Sequence, residues 1–131
     1  HLFFPELFLR EDDKMSHDPD CLFCKIIDNR IPSKLVHRDR FAIAFEDINP
    51  QAPTHILIVP HKHIPDIQSM NEGDRELIGH LFFIAQKLAV MLGLEKRGYR
   101  LVINNGQDAG QAVFHVHLHL LSGRAFAWPP G

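Results

Sequence analysis

Three histidines, His115, His117 and His119, occupy alternate positions in the stretch FHVHLHLL near the C-terminus. Val116, Leu118, Leu120 and Leu121 fill the positions between and after them. In a β-strand, side chains alternate between faces with period two. The three imidazoles therefore share one face, and Val116, Leu118 and Leu120 share the opposite, core-facing one. Two kinds of chemistry suit such a row. It could hold a metal or sit as solvated surface histidines. It could instead do nucleophilic catalysis, because an imidazole with a pKa near ~6.5 is a nucleophile at neutral pH. It attacks phosphorus or a carbonyl without the deprotonation that serine needs. His117, flanked on both sides, is then the natural nucleophile, with its neighbours free to donate to the transferred group or to the leaving group. The glycine-rich loop NNGQDAGQAVF runs straight into this row. Glycines let backbone N–H groups turn toward an anion, which suggests phosphate. No GK[ST] follows, so it is not a Walker loop.

A second group is CLFC, with Cys21 and Cys24 the chain's only cysteines. One CxxC is no secreted disulfide framework, and it points to a reducing cytoplasm. A redox pair would need a βαβ setting, and zinc would need two further ligands.

The elements that must position these residues can be read from periodicity. CLFCKIIDN (21–29) predicts a short helix that ends at RIPS. Residues 35–38 and 41–46 predict a hairpin, and HILIV (55–59) a strand stopped by Pro60. Leu77, Leu81, Ile84, Ala85, Leu88 and Leu92 recur every three to four residues, predicting one long helix over 72–92 with Gly93 at its stop. YRLVIN (99–104) and the histidine row predict two more strands. Helices do not alternate regularly with strands, so an α+β domain with a mainly antiparallel five-stranded sheet, one long helix and one short helix is expected, not a doubly wound parallel sheet.

Length and composition are consistent with this. The chain has 131 residues, 45% hydrophobic and 23% charged, with a net charge of −2. That suits one domain and gives no reason to expect nucleic acid or an acidic membrane as partner. No apolar stretch is long enough for a bilayer. Ten histidines are the unusual number, and they form no run. Residues 1–14 make a poor signal peptide and are read as an upstream or added extension. The domain is taken as 15–131, starting at Met15.

FHVHLHLL is similar to the signature of the histidine triad (HIT) superfamily of nucleotidyl hydrolases and transferases. CLFCKII, RIPS, FEDINPQAPTHILIVPHKHI, YRLVINNG, GQAVFHVHLHLLSGR and the terminal WPPG resemble its Hint branch, the purine nucleoside phosphoramidases. The resemblance runs from Cys21 to Gly131. It implies a HIT-like fold and cleavage of the P–N bond of AMP- or GMP-type amidates through a covalent nucleotidyl-histidine. In that scheme His117 is the nucleophile, His119 contacts the phosphate, and His55 is a fourth catalytic histidine. Asp47 would bind the ribose. Phe23, Ile26, Phe45 and Ile48, with Leu22 and Leu57 beside them, would line the purine pocket. Asn104 and the backbone of Gln111, Ala112 and Val113 would contact the phosphate. The resemblance further implies a homodimer, with Trp128 reaching toward the partner's site. It also implies a structural zinc on Cys21, Cys24, His63 and His115, with His61 as the alternative to His63.

One departure stands out. Many members carry a serine where this chain has Ala112, and that hydroxyl helps the leaving amine. Two other functions compete, the second of them favoured by Ala112. One is a dinucleoside polyphosphate hydrolase of the same superfamily. The other is a nucleotide-binding regulatory protein with weak catalysis.

Overall fold

The computed structural model describes residues 18–131. The expectations for residues 1–14 and for a start at Met15 lie outside the described residues. The elements in order are helix α1 (Leu22–Ile27), strands β1 (Leu35–Arg38), β2 (Ala42–Glu46) and β3 (Thr54–Pro60), helix α2 (Arg75–Met91), and strands β4 (Arg100–Val102) and β5 (Leu118–Ser122). The strands form one sheet in the order β1-β2-β3-β5-β4, and every neighbouring pair is antiparallel. The expected α+β architecture is the one observed.

The sheet is covered on both faces, and alternation decides which residue meets which cover. Ala42, Ala44, Ile56, Ile58, Leu118 and Leu120 pack with Leu81, Ile84 and Leu88 of α2. Ile43, Phe45, Leu57 and Val59 pack with Phe23, Ile26 and Ile27 of α1. Val116, Leu118 and Leu120 thus face the α2 core as their spacing predicts. The opposite face is not open solvent, because α1 lies against it. His115 and His117 are accordingly buried.

Most boundaries shift by a residue or two, and three differences are larger or bear on the site. The long helix begins at Arg75, because Glu72–Asp74 is a 3-10 turn capped by Asn71, with Asp74 accepting the Asn71 N–H. Its end is as expected: Gly93, at φ +69°, lets the Leu94 N–H reach the Ala89 carbonyl and the Gly93 N–H reach that of Val90. Strand β4 is only Arg100–Val102.

The third difference matters most. The ladder of β5 starts at Leu118, so His115 and His117 precede the regular strand. Their stretch bonds elsewhere. The Val116 N–H donates to the Ile64 carbonyl, and the His115 carbonyl and imidazole are both engaged by the site described next.

Candidate active site and metal centre

The Nδ1 of His117 lies 2.7 Å from the His115 carbonyl oxygen. A carbonyl can only accept, so Nδ1 carries the proton and Nε2 carries the lone pair. Nε2 makes no hydrogen bond among the described residues. Phe23 meets the ring edge-on, with centroids 5.0 Å apart at 82°. This contact places a core residue of α1 directly behind the imidazole. Burial pushes the His117 pKa down from 6.5, against the opposing pull of the His115 carbonyl and Asp47. The ring is therefore neutral and nucleophilic at neutral pH.

His55 and His119 form a second unit. His119 sits opposite Leu57 in the β3–β5 register and His55 opposite Leu121, which puts both imidazoles on the α1 side. The Gln51 backbone N–H donates to His55 Nδ1 at 3.0 Å, and His55 Nε2 lies 2.9 Å from His119 Nδ1. The backbone donor fixes every proton that follows. His55 Nδ1 must accept, so its Nε2–H donates to His119 Nδ1. His119 must then carry its proton on Nε2. That Nε2–H is buried with no partner among the described residues. An unmade buried hydrogen bond costs roughly 1–3 kcal/mol, which an arriving anionic oxygen would recover. Burial, with His117 and His55 adding to it, holds the His119 pKa down to about 4. Burial likewise lowers His55.

Asp47 lies at the end of the same string, with Oδ2 3.5 Å from His55 Nε2. Its Oδ1 accepts the Asn49 N–H at 2.8 Å, which holds the DINPQAP loop in a turn. Beside Asp47 is an open cleft of ≈ 610 Å³ lined by Pro32, Ser33, Lys34, Glu46, Asp47, Ile48 and Pro50. The glycine-rich loop is tied by Gln111: its Oε1 accepts the Gly106 N–H, and its Nε2 donates to Pro65 and Val113 carbonyls. The N–H groups of Ala112 and Val113 have no acceptor among the described residues.

The chain matches the HIT domain family over residues 28–126. It belongs to the HIT family. It is 48% identical over 112 residues to an uncharacterised HIT-like protein of Synechocystis, covering 86% of this chain and 97% of that one. A HIT family hydrolase from Legionella pneumophila superposes with a TM-score of 0.84 at 52% identity, over 86% of this chain and 100% of that chain. A histidine triad nucleotide-binding protein from Candida albicans superposes with a TM-score of 0.73 at 31% identity, over 86% and 85% of the two chains.

This HIT domain carries a second constellation behind the first. Cys21, Cys24, His63 and His115 bring their ligand atoms within 4.8 Å of one another. The Cys21 Sγ–His115 Nδ1, Cys24 Sγ–His63 Nδ1, Cys24 Sγ–His115 Nδ1 and His63 Nδ1–His115 Nδ1 distances are 3.3, 3.5, 3.6 and 3.1 Å. A tetrahedron with metal–sulfur bonds of about 2.3 Å and metal–nitrogen bonds of about 2.05 Å has edges of roughly 3.3–3.8 Å. The four side chains fit that shape. The protons fit too. His115 Nε2 donates to the Pro60 carbonyl at 2.8 Å, which leaves a lone pair on the Nδ1 inside the cluster. Cys24 and Asp18 N–H groups donate to the sulfurs of Cys21 and Cys24. Left as a thiol, Cys24 is pushed up to about 12 by burial, with the neighbouring Cys21 adding to it.

Asp47, His55 and His119 also converge closely enough for a metal. Their protons argue against it. The Gln51 N–H occupies His55 Nδ1, so Nε2 carries hydrogen and has no lone pair to give.

Of the residues singled out from sequence, His117, His119, His55 and Asp47 converge, and so do the four cluster residues. His63, not His61, supplies the fourth cluster atom. Phe23, Ile26 and Phe45 lie together in the core, where Phe23 and Phe45 meet edge-on at 5.6 Å and Phe23 touches His117. Ile48 is 99% exposed on the rim of the cleft, and Trp128 is 82% exposed, so neither is enclosed. Asn104 is half-buried beyond the end of β4. Sequence reasoning missed Gln51 as the group that orients His55. Its side chain carries no signal, because the backbone does the work.

Proposed function

We propose that this HIT domain is a hydrolase that cleaves the P–N bond of purine nucleoside 5′-phosphoramidates. The observation that carries the reading is the pairing of a free His117 Nε2 lone pair with an unpartnered His119 Nε2–H. One is a nucleophile and the other a donor for a phosphoryl oxygen. His117 Nε2 attacks the α-phosphorus, the P–N bond breaks, and the amine departs with its electron pair and takes a proton from water. Water then attacks the nucleotidyl-histidine and releases the nucleoside monophosphate. As His117 gains positive character, its Nδ1–H bond to the His115 carbonyl strengthens. His119 and the Ala112 and Val113 N–H groups stabilise the equatorial oxygens. Asp47, an acceptor at the edge of the cleft, takes the ribose hydroxyls, and the cleft over Ile48 takes the base.

The fit of the thiol–imidazole cluster supports a structural zinc held by Cys21, Cys24, His63 and His115. Four protein ligands close its sphere, so it would cross-link α1, the turn after β3 and the histidine segment without joining the chemistry. A homodimer is supported by the open edge of β4 and by the exposed Phe83, Val90 and Met91 on α2. Among the described residues no helix is long and apolar enough to cross a membrane. The free cysteines favour a cytoplasmic setting.

The test is a side-by-side assay of adenosine 5′-phosphoramidate and a diadenosine polyphosphate with wild type and His117→Ala. Amidate turnover that vanishes in the variant supports the reading. Preference for the polyphosphate moves the chain to the other hydrolase class. Nucleotide binding without turnover of either would make it a binding protein.

A further inference from the structure

The string that fixes the His119 proton does not start at His55. Its first donor, the Gln51 N–H, belongs to the loop between β2 and β3, and no strand pairing holds that residue. One contact from the chain just beyond β5 does, and a second holds Pro53 two residues on. Arg124 Nε donates to the Gln51 carbonyl at 2.9 Å. Gly123, at φ +100°, lets the backbone lie so close to Pro53 that an added Cβ would fall 2.8 Å from the Pro53 Cβ. Both contacts fall on the same stretch of loop, Gln51–Pro53.

Arg124 is itself built into place. Its Nη1 donates to the Ala125 carbonyl at 3.0 Å. Its guanidinium lies 4.3 Å from the centroid of Phe126, which Arg100 approaches at 5.1 Å. An exposed arginine usually wanders, and three anchors restrict this one. The Gln51 side chain adds to the loop's rigidity, with Nε2 donating to the Asn49 carbonyl at 3.0 Å.

We infer that Arg124 is a positioning residue: by gripping the Gln51 carbonyl it holds the Gln51 N–H on His55, and so keeps the His119 proton on the nitrogen that serves the substrate. Without that grip His55 Nδ1 loses its fixed donor. His55 is then free to protonate Nδ1 and present a lone pair at Nε2. His119 would answer with its proton on Nδ1, and its Nε2 would become an acceptor facing a phosphoryl oxygen. Two lone pairs would meet where a donor is needed. The effect reaches the site through four links: Arg124 to Gln51, Gln51 to His55, His55 to His119, and His119 outward. Because the first link acts on a carbonyl and the second on an N–H of the same residue, the coupling is geometric, pinning Gln51 on both sides of its Cα.

This rests on the proposed hydrolysis only where rates are concerned. The experiment therefore has two arms on the full-length protein: nitrogen-15 NMR of the histidine rings without substrate, and steady-state kinetics on adenosine 5′-phosphoramidate. Arg124→Met keeps the stem and removes the donors, while Arg124→Lys restores one cation. In wild type His119 should show a protonated Nε2 and His55 an accepting Nδ1. In Arg124→Met both rings should become tautomer mixtures, and kcat should fall roughly tenfold, the usual scale for one lost hydrogen bond to a charged group. KM should change less, and Arg124→Lys should recover part of both. Unchanged tautomers together with kcat within about twofold of wild type would overturn the inference. So would a kcat loss without any tautomer change, since that is an ordinary structural effect. If Arg124→Met does not fold, Arg124→Lys carries the same two readouts. A wild type inactive on the amidate would sink the proposed reaction, and the NMR arm would still decide the role of Arg124.

Discussion

His115 touches both constellations: its backbone carbonyl takes the Nδ1–H of His117 at 2.7 Å, and its own Nδ1 lies 3.1 Å from that of His63 in the thiol–imidazole cluster. One residue therefore sets the tautomer of His117 with its main chain and ties down the segment with its side chain. The Pro60 carbonyl orients that side chain. The chain leaves the β ladder here because these bonds replace strand pairing.

His117→Ala removes the nucleophile and nothing else of the phosphate site. Turnover should fall by about 10⁴-fold or more, with nucleoside monophosphate still bound. Rapid quench with radiolabelled amidate should find covalent label on wild type and none on the variant. Label on His119 in place of His117 would sink the assignment.

His119→Ala should act differently. It removes a donor to the developing charge, so kcat should drop roughly 10²–10³-fold, the scale of a single lost oxyanion donor. The covalent intermediate should still form, more slowly. Complete absence of the intermediate in single-turnover experiments would contradict a donor role.

Much of this site could be read from the sequence, for local reasons. Strict alternation of His115, His117 and His119 assigned the face, and CxxC assigned two cluster ligands. The regular spacing of Leu77, Leu81, Ile84 and Leu88 gave the helix that backs the sheet. The rest depended on contacts between distant segments. Nothing local says that the strand stops at Leu118, since that follows from the carbonyls of Ile64 and Pro60 capturing Val116 and His115. Nor does spacing choose between His61 and His63, two residues apart in one turn. The Gln51 N–H is a backbone group, and every residue but proline has one.

The pH profile should separate this site from a solvated histidine row. Burial keeps His119 down to about 4, below the ordinary 6.5. The neutral, correctly protonated ring therefore persists as pH falls through 6. Burial lowers His117 and His55 as well, so the acid limb of amidate kcat/KM should lie below 6.5. Stability follows the same sign. Between 6.5 and 4 the unfolded chain binds a proton that the folded His119 does not, so acid in this window destabilises the fold. A kinetic limb at 6.5 would contradict the buried string.

Asp39 is expected to matter for stability and not for chemistry. Its Oδ2 accepts from His37 and His80, both at 2.7 Å, and its Oδ1 accepts the Phe41 and Ala42 N–H groups. The carboxylate thus joins β1, the β1–β2 turn and α2. Burial alone would raise its pKa, but the hydrogen bonds from His80 and His37 outweigh that and hold the carboxyl well below its usual range. The stabilisation is full above the ordinary carboxylate pKa and is lost as pH falls below it. Asp39→Ala should cost roughly 2–4 kcal/mol by urea unfolding, with kcat of the folded protein unchanged. A loss under about 0.5 kcal/mol would show that the cluster is only a surface arrangement.

Ala112→Ser tests the one departure from the family pattern. Ala112 is exposed, and its N–H, like that of Val113, has no acceptor among the described residues. A methyl there cannot exchange a proton with a departing amine, and the His117 proton stays on Nδ1 against the His115 carbonyl, so the amine must take its proton from water. A serine hydroxyl would add a donor at the leaving group without disturbing a packed position. The expected result is an amidate kcat several-fold higher, on the scale of one added hydrogen bond, with the largest gain for the most basic amines. Mixed anhydride or polyphosphate substrates, whose leaving groups need no proton, should gain nothing. An equal gain on both substrate classes would mean that the hydroxyl acts on the phosphoryl oxygens, and no gain on either would place the leaving group away from residue 112.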